Sequence, residues 1–335
     1  MTTTTTPRPR LPLNTFGISF GTAVIAGTWT TAGDLLGAPA AIGEVLWAAA
    51  AVAWVVTIVR YLRRPGGIGA VVADLRHPVL GPFAALVPAV GSLLAVHVST
   101  WAPTVGAVGV WAMLALTTAF GAWFVTDLLT TPRDPGTLHG GYLLPTVANS
   151  LLGAQALATT GHPALATGFF ATGVLFWLLV GAVLLVRFAT GPAIPAALLP
   201  TLAIVSAPPA VAGNAWWVLT GGAPSIVHTA LAGTMVAFLL PHAFLVRRYL
   251  RSGFAIGFWA MTFTTAASAT YGIRLLTSTD LGTLGIASAW VVVALATVIV
   301  GSIAVRSMGL FLQRPHDAAA AAVPAADRRS SKSLD

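Results

Sequence analysis

Apolar residues run through this chain in blocks of about 20, separated by short breaks rich in Gly, Pro and charge. Neither the two-residue alternation of a half-buried strand nor a regular polar face interrupts them. A helix of about 20 mainly apolar residues crosses about 30 Å of hydrocarbon. On that rule the pattern predicts ten spans, at 14–33, 39–62, 79–100, 103–128, 143–160, 164–188, 195–219, 225–248, 254–276 and 283–311. The polar stretch 1–13 and the Ala-rich stretch 313–335 lack periodicity and read as disordered tails flanking one membrane domain, 14–312.

The blocks repeat. Four even-numbered spans begin at a break containing Pro39, Pro103, Pro163 or Pro224, spaced 64, 60 and 61 residues apart. Proline suits the first turn of a helix, where its missing N–H removes no hydrogen bond. The fifth even span starts near Gly285, on the same period without the proline. The chain therefore reads as five helical hairpins of about 61 residues each.

Composition agrees and removes other classes. With 56% hydrophobic and 8% charged residues, and a mean hydropathy of +0.86, the chain cannot cover a water-facing globule. The net charge of +8 reflects orientation, not nucleic acid. Even spans end in arginine (Arg63 and Arg64, Arg133, Arg187, Arg247 and Arg248, Arg306), and of 17 basic residues only Arg274 falls toward the other side. The positive-inside rule then predicts an inner (plasma) membrane protein with both termini cytoplasmic. There is no cysteine and no histidine pair at metal-ligand spacing, so no cofactor or metal is expected. No nucleophile–base constellation suggests an enzyme.

Odd and even spans differ. The odd ones carry Pro82, Pro88, Pro145, Pro200, Pro208 and Pro209, while the even ones hold little but Pro241. A proline inside a helix frees a carbonyl, which in a membrane must face protein or a wet cavity. The odd helices are thus expected to form an inner ring around a central path, with the even helices outside.

The stretch FWAMTFTTAASAT, 258–270, lacks bulky aliphatic residues and sets one phenylalanine, Phe263, among small neighbours. On a helix Phe263 shares its face with Trp259, Ala266, Ala267 and Thr270. Two readings of Thr262, Thr265 and Ser268 stand: donors to a passing anion, or hydroxyls bonded back to the preceding turn. Asn149 and Asn214 each read as a polar pore position or an inter-helix bond, the second reading being preferred for Asn214. Arg274, near the outer mouth, reads as a vestibule charge or an interfacial anchor. Glu44 is the one carboxylate placed to serve a proton-coupled carrier.

Together NTFGISFG (14–21), LRHPVLGPFAALVP (75–88), YLLPTVANS (142–150), APPAVAGNAW (207–216) and FWAMTFTTAAS (258–268) resemble the tellurite-resistance/dicarboxylate transporter family, which includes the plant slow-type anion channels. The resemblance implies an all-α homotrimer, each subunit with ten helices and its own anion pore. It also implies that Phe263 is the pore gate, with Gly17 leaving room near its ring. The pore lining expected on this basis and on the helix pattern is Phe16, Gly17, Gly21, Pro88, Pro145, Asn149, Pro208, Thr262, Thr265 and Ala266. The expected partners are the lipid bilayer and an anionic substrate: a small inorganic anion, sulfite, a C4-dicarboxylate or a tellurite-related oxyanion. The alternative is a proton-coupled carrier or exporter of an organic acid or small metabolite.

Overall fold

The computed structural model describes residues 11–63 and 67–320, with side chains through residue 310. Arg64, the side chain of Arg314, and the tail residues 1–10 and 321–335 lie outside that description. Every regular element among the described residues is helical: α1 (Gly17–Leu36), α2 (Ala40–Leu62), α3 (Gly67–Arg76), α4 (Leu86–Ser99), α5 (Pro103–Thr130), α6 (Asn149–Thr159), α7 (Pro163–Thr190), α8 (Leu202–Val205), α9 (Pro208–Leu219), α10 (Ile226–Arg251), α11 (Trp259–Ser278) and α12 (Gly282–Ala320). Helix α3 has no counterpart among the ten expected spans, and α12 runs past the expected end at residue 311.

Among the described residues, seven helical segments are long and apolar enough to cross a membrane. They fall into two groups. Gly81–Ser99 and Ala196–Leu219 are 67% and 72% buried inside the protein, whereas the other five are buried by 28% or less. Helices α1 and α11 and the segment 140–159 are outside the seven. In α11 the apolar character is diluted by hydroxyl-bearing residues, and half of its 20 residues are buried by neighbouring helices.

Helix starts follow the prolines. Pro103 and Pro163 are the first residues of α5 and α7, and Pro39 is the residue before α2. Pro224 precedes Ser225, whose Oγ caps α10 by accepting from the His228 N–H at 3.4 Å. By contrast, α1, α4, α6, α8 and α11 are each approached through a tight 3-10 segment: Leu13–Phe16, Gly81–Ala85, Gly140–Leu143, Ala196–Thr201 and Ile256–Phe258. The adjoining Leu144–Ala148 forms a wide turn around Pro145. Pro208 and Pro209 lack the N–H groups that would continue α8, so the chain breaks at Ser206–Ala207. There Ser206 Oγ donates to the Phe238 carbonyl at 2.8 Å and tethers the break to α10.

Consecutive helices pack as pairs: α1 on α2, α4 on α5, α6 on α7, α9 on α10, and α11 on α12. Contacts also run from α1 to α4, α4 to α6, α6 to α9, α9 to α11, and α11 back to α1. Phe263 and its surroundings lie within this second set.

Candidate functional site

Phe263 projects from α11 and is 3% exposed. Its ring lies against Phe20 of α1, with centroids 4.6 Å apart and planes at 33°. The same ring borders three separate spaces. The first is a vestibule of about 230 Å³ walled by the C-terminal halves of α1, α4, α6, α9 and α11, for example at Gly27, Leu93, Gln155, Val218 and Thr270. The second, of about 20 Å³, is walled by the opposite ends of the same set, at Gly17, Phe83, Leu144, Ile204 and Ala260. The third, of about 10 Å³, sits beside the ring against Val147 and Pro208. The five helices therefore run in one direction, and Phe263 lies where the wide end meets the narrow one.

On α11 the residues facing the vestibule are Phe263, Ala267, Thr270 and Arg274, a stripe at spacings of four, three and four. Arg274 is fixed within it. Its Nη1 donates to Asn214 Oδ1 at 2.9 Å and to the Asn214 carbonyl at 3.3 Å, and its guanidinium lies 6.0 Å from the Trp217 ring centroid. Asn214 in turn donates from Nδ2 to the Ala267 carbonyl at 2.9 Å, the inter-helix bond expected of it. Asp34 lines the same vestibule. At its edge His97 stacks on Trp47 at 4.7 Å and meets Glu44 at 3.1 Å, with Glu44 62% exposed.

Other residues of the expected lining are placed as follows. Gly17 and Pro208 border the small spaces next to Phe263. Phe16, Gly21, Pro88 and Pro145 are packed in the interior, Phe16 edge-on to Tyr61 at 6.3 Å. Asn149 bonds α6 to the start of α4 through the Ala85 carbonyl at 3.2 Å. Thr262 donates to the Trp259 carbonyl at 2.7 Å and packs against Gly21, and Ala266 packs with Ile25 and Ala296. Thr265 donates back to Met261 at 2.9 Å. With Ser268 it faces a different space, an apolar groove of about 450 Å³ bounded by α10, α11 and α12. The even-handed reading of the three hydroxyls thus resolves residue by residue: Thr262 and Thr265 bond backward, and Ser268 Oγ has no partner among the described residues.

Sequence reasoning missed Phe20, Asp34 and His97. Phe20 was legible in principle, since it lies one turn beyond Phe16 and Gly17 in the same glycine-rich helix. Asp34 and His97 carried no signal, because each is an isolated ionisable residue near the end of a helix.

At the arginine-rich end a second polar cluster holds the connecting loops. Arg133 pairs with Asp127 and donates to the Arg76 carbonyl at 3.2 Å. The buried Arg187 donates to the carbonyls of Pro192 at 2.7 Å and Gly136 at 3.3 Å. His139, in the loop between α5 and α6, is fixed as the Nε2–H tautomer: Nε2 donates to the Val79 carbonyl at 2.9 Å while Nδ1 accepts from the Gly141 N–H at 3.1 Å. Burial lowers its pKa to about 4, and the nearby Arg187 pushes the same way. No cluster suited to a metal ion occurs among the described residues.

These features sit on a chain whose residues 10–306 match the family model described as voltage-dependent anion channel. It is also 28% identical, over 270 residues, to the tellurite resistance protein TehA homolog of Haemophilus influenzae, covering 79% of this chain and 81% of that one. The chain is a membrane protein of the voltage-dependent anion channel family, whose members carry anions across the bilayer.

Proposed function

We propose that α1, α4, α6, α9 and α11 form the inner ring of an anion conduit, that α2, α5, α7, α10 and α12 form the outer ring, and that Phe263 closes the path. One observation carries this reading: a single buried ring borders both the vestibule and the narrow spaces at the other end of the same five helices. An apolar constriction of this kind blocks ions by excluding their water. The arginine-rich end faces the cytoplasm, each subunit carries its own path, and three subunits assemble. The substrate is a small anion, inorganic or C4-dicarboxylate; the name of the Haemophilus relative adds weight to oxyanions of the tellurite kind.

The test is anion flux from proteoliposomes containing the purified chain and its Phe263→Ala variant. Phe263→Ala should raise chloride flux at least about tenfold. Unchanged or abolished flux from a folded variant removes Phe263 as the gate. A proton-coupled carrier would rely on a carboxylate inside the membrane. Glu44, the residue available for that role in the sequence, is largely exposed and paired with His97 at the rim. Glu44→Gln should therefore leave flux intact, and its loss would restore the carrier.

A further inference from the structure

The space around Phe263 is lopsided. Toward the vestibule the ring meets about 230 Å³ of free volume and small neighbours, Ala23, Gly27 and Ala267. Toward the arginine-rich end it meets Phe20 at 4.6 Å, and the free space there is about 20 Å³. Phe20 is 3% exposed and borders the small cavity of about 20 Å³, so it stands on the arginine-rich side of the gate.

Phe20 is itself immobilised. Helix α1 approaches α11 so closely at Gly21 that an added Cβ would collide with Thr262 and with Trp259 Cε3 at 2.9 Å. Two turns further on, Thr28 Oγ1 donates to the Ala266 carbonyl at 3.0 Å and lies 2.9 Å from Thr270 Oγ1. A side chain on so tightly coupled a pair of helices cannot retreat when the neighbouring ring presses on it.

We propose that Phe20 is a backstop and that the Phe20–Phe263 pair works as a check valve. An anion arriving from the arginine-rich end pushes Phe263 into open vestibule. An anion arriving through the vestibule pushes the same ring onto Phe20, where there is no volume to take it. Under equal and opposite driving forces the conduit passes anions more readily from the arginine-rich end outward. The inference rests on the conduit reading and adds a direction to it.

Single-insertion recordings in planar bilayers, with symmetric chloride as the probe, test it. The chain has no cysteine, so Ser278→Cys, exposed at the arginine-poor end of α11, reports orientation through an impermeant thiol reagent. Chloride current from the arginine-rich end should exceed the reverse current at least about fivefold. Phe20→Ala should raise the reverse current until the two are equal, and Phe20→Leu, which keeps much of the bulk, should retain part of the asymmetry. Phe263→Ala should give large, symmetric currents.

Symmetric or absent wild-type current, or asymmetry that survives Phe20→Ala, overturns the backstop. If Phe263→Ala leaves current unchanged, it is the gate reading that fails. Size-exclusion profiles matching wild type establish that each variant is folded.

Discussion

The side-chain oxygen of Asn214 receives the Arg274 guanidinium at 2.9 Å, and the amide nitrogen of the same residue donates to the Ala267 carbonyl two turns closer to Phe263. One buried side chain of α9 thus fixes both the cation of the vestibule and the backbone one turn from Phe263. A hydrogen bond to a charged group contributes about 1.5–3 kcal/mol, and an orphaned partner costs more than the bond is worth.

Asn214→Leu is therefore expected to destabilise the protein by about 2–3 kcal/mol and to free Arg274. Asn214→Asp keeps the shape but places a negative charge against the guanidinium. In a Phe263→Ala background, Asn214→Asp should cut chloride flux at least about tenfold and lower stability by about 1–3 kcal/mol, because the carboxylate has no N–H to donate to the Ala267 carbonyl. Equal flux would mean that Arg274 does not draw anions into the vestibule.

Gly21 and Gly27 lie on the same helix and make opposite forecasts. A methyl group on Gly21 strikes Thr262 and Trp259, whereas one on Gly27 meets Trp47 Cζ2 at an ordinary contact distance of 3.8 Å. Overpacking a tight contact costs about 1–3 kcal/mol. Gly21→Ala should lower the unfolding temperature by several degrees and Gly27→Ala should not, as measured by differential scanning fluorimetry in detergent.

His139 links stability to pH. Its pKa falls to about 4 in the folded chain, below the ordinary value of 6.5, so the unfolded state binds more protons between those limits. The neutral imidazole's contribution is fully present above about pH 6.5 and is lost as the pH falls toward 4, a change on the order of 3 kcal/mol. Thermal unfolding between pH 7.5 and 4.5 should show a drop that His139→Gln reduces. An equal drop in the variant would assign the effect to other groups.

Ser307 accepts the Trp259 indole N–H at 2.8 Å in a buried contact that joins α11 to α12 one turn from Phe263. Ser307→Ala leaves that N–H unsatisfied and should cost about 1–2 kcal/mol. Ser302→Ala, on an exposed turn of α12, is the control and should have no measurable effect on unfolding.

Much of this organisation was legible in the residues, for reasons that can be named. Seven of the ten expected spans coincide with helical segments long and apolar enough to cross a membrane among the described residues, and Pro39, Pro103, Pro163 and Pro224 each stand within two residues of a helix start. The facing of α11 was harder. Face-sharing by helical angle grouped Ala266 with Phe263, but Ala266 turns toward Ile25 and Ala296, while Ala267 and Arg274 continue the vestibule stripe. Thr265 looked suited to a pore because it is polar; its hydroxyl is satisfied by its own helix, so it can face an apolar groove. Helix α3 was invisible to a search for spans because its ten residues are too few to cross a bilayer.

The connections at the arginine-poor end have a consequence for how the chain is made. Between α1 and α2, α4 and α5, α6 and α7, and α11 and α12, only three residues intervene, and between α9 and α10 only six. Of these turns only the last carries a formal charge, at Asp280. Arginine clusters, long loops and the extra helix α3 all belong to the opposite end. With the arginine-rich end on the cytoplasmic side, as proposed above, the machinery that threads this polypeptide into a bilayer would have almost no polar cargo to push through, and each pair of helices could enter as a unit.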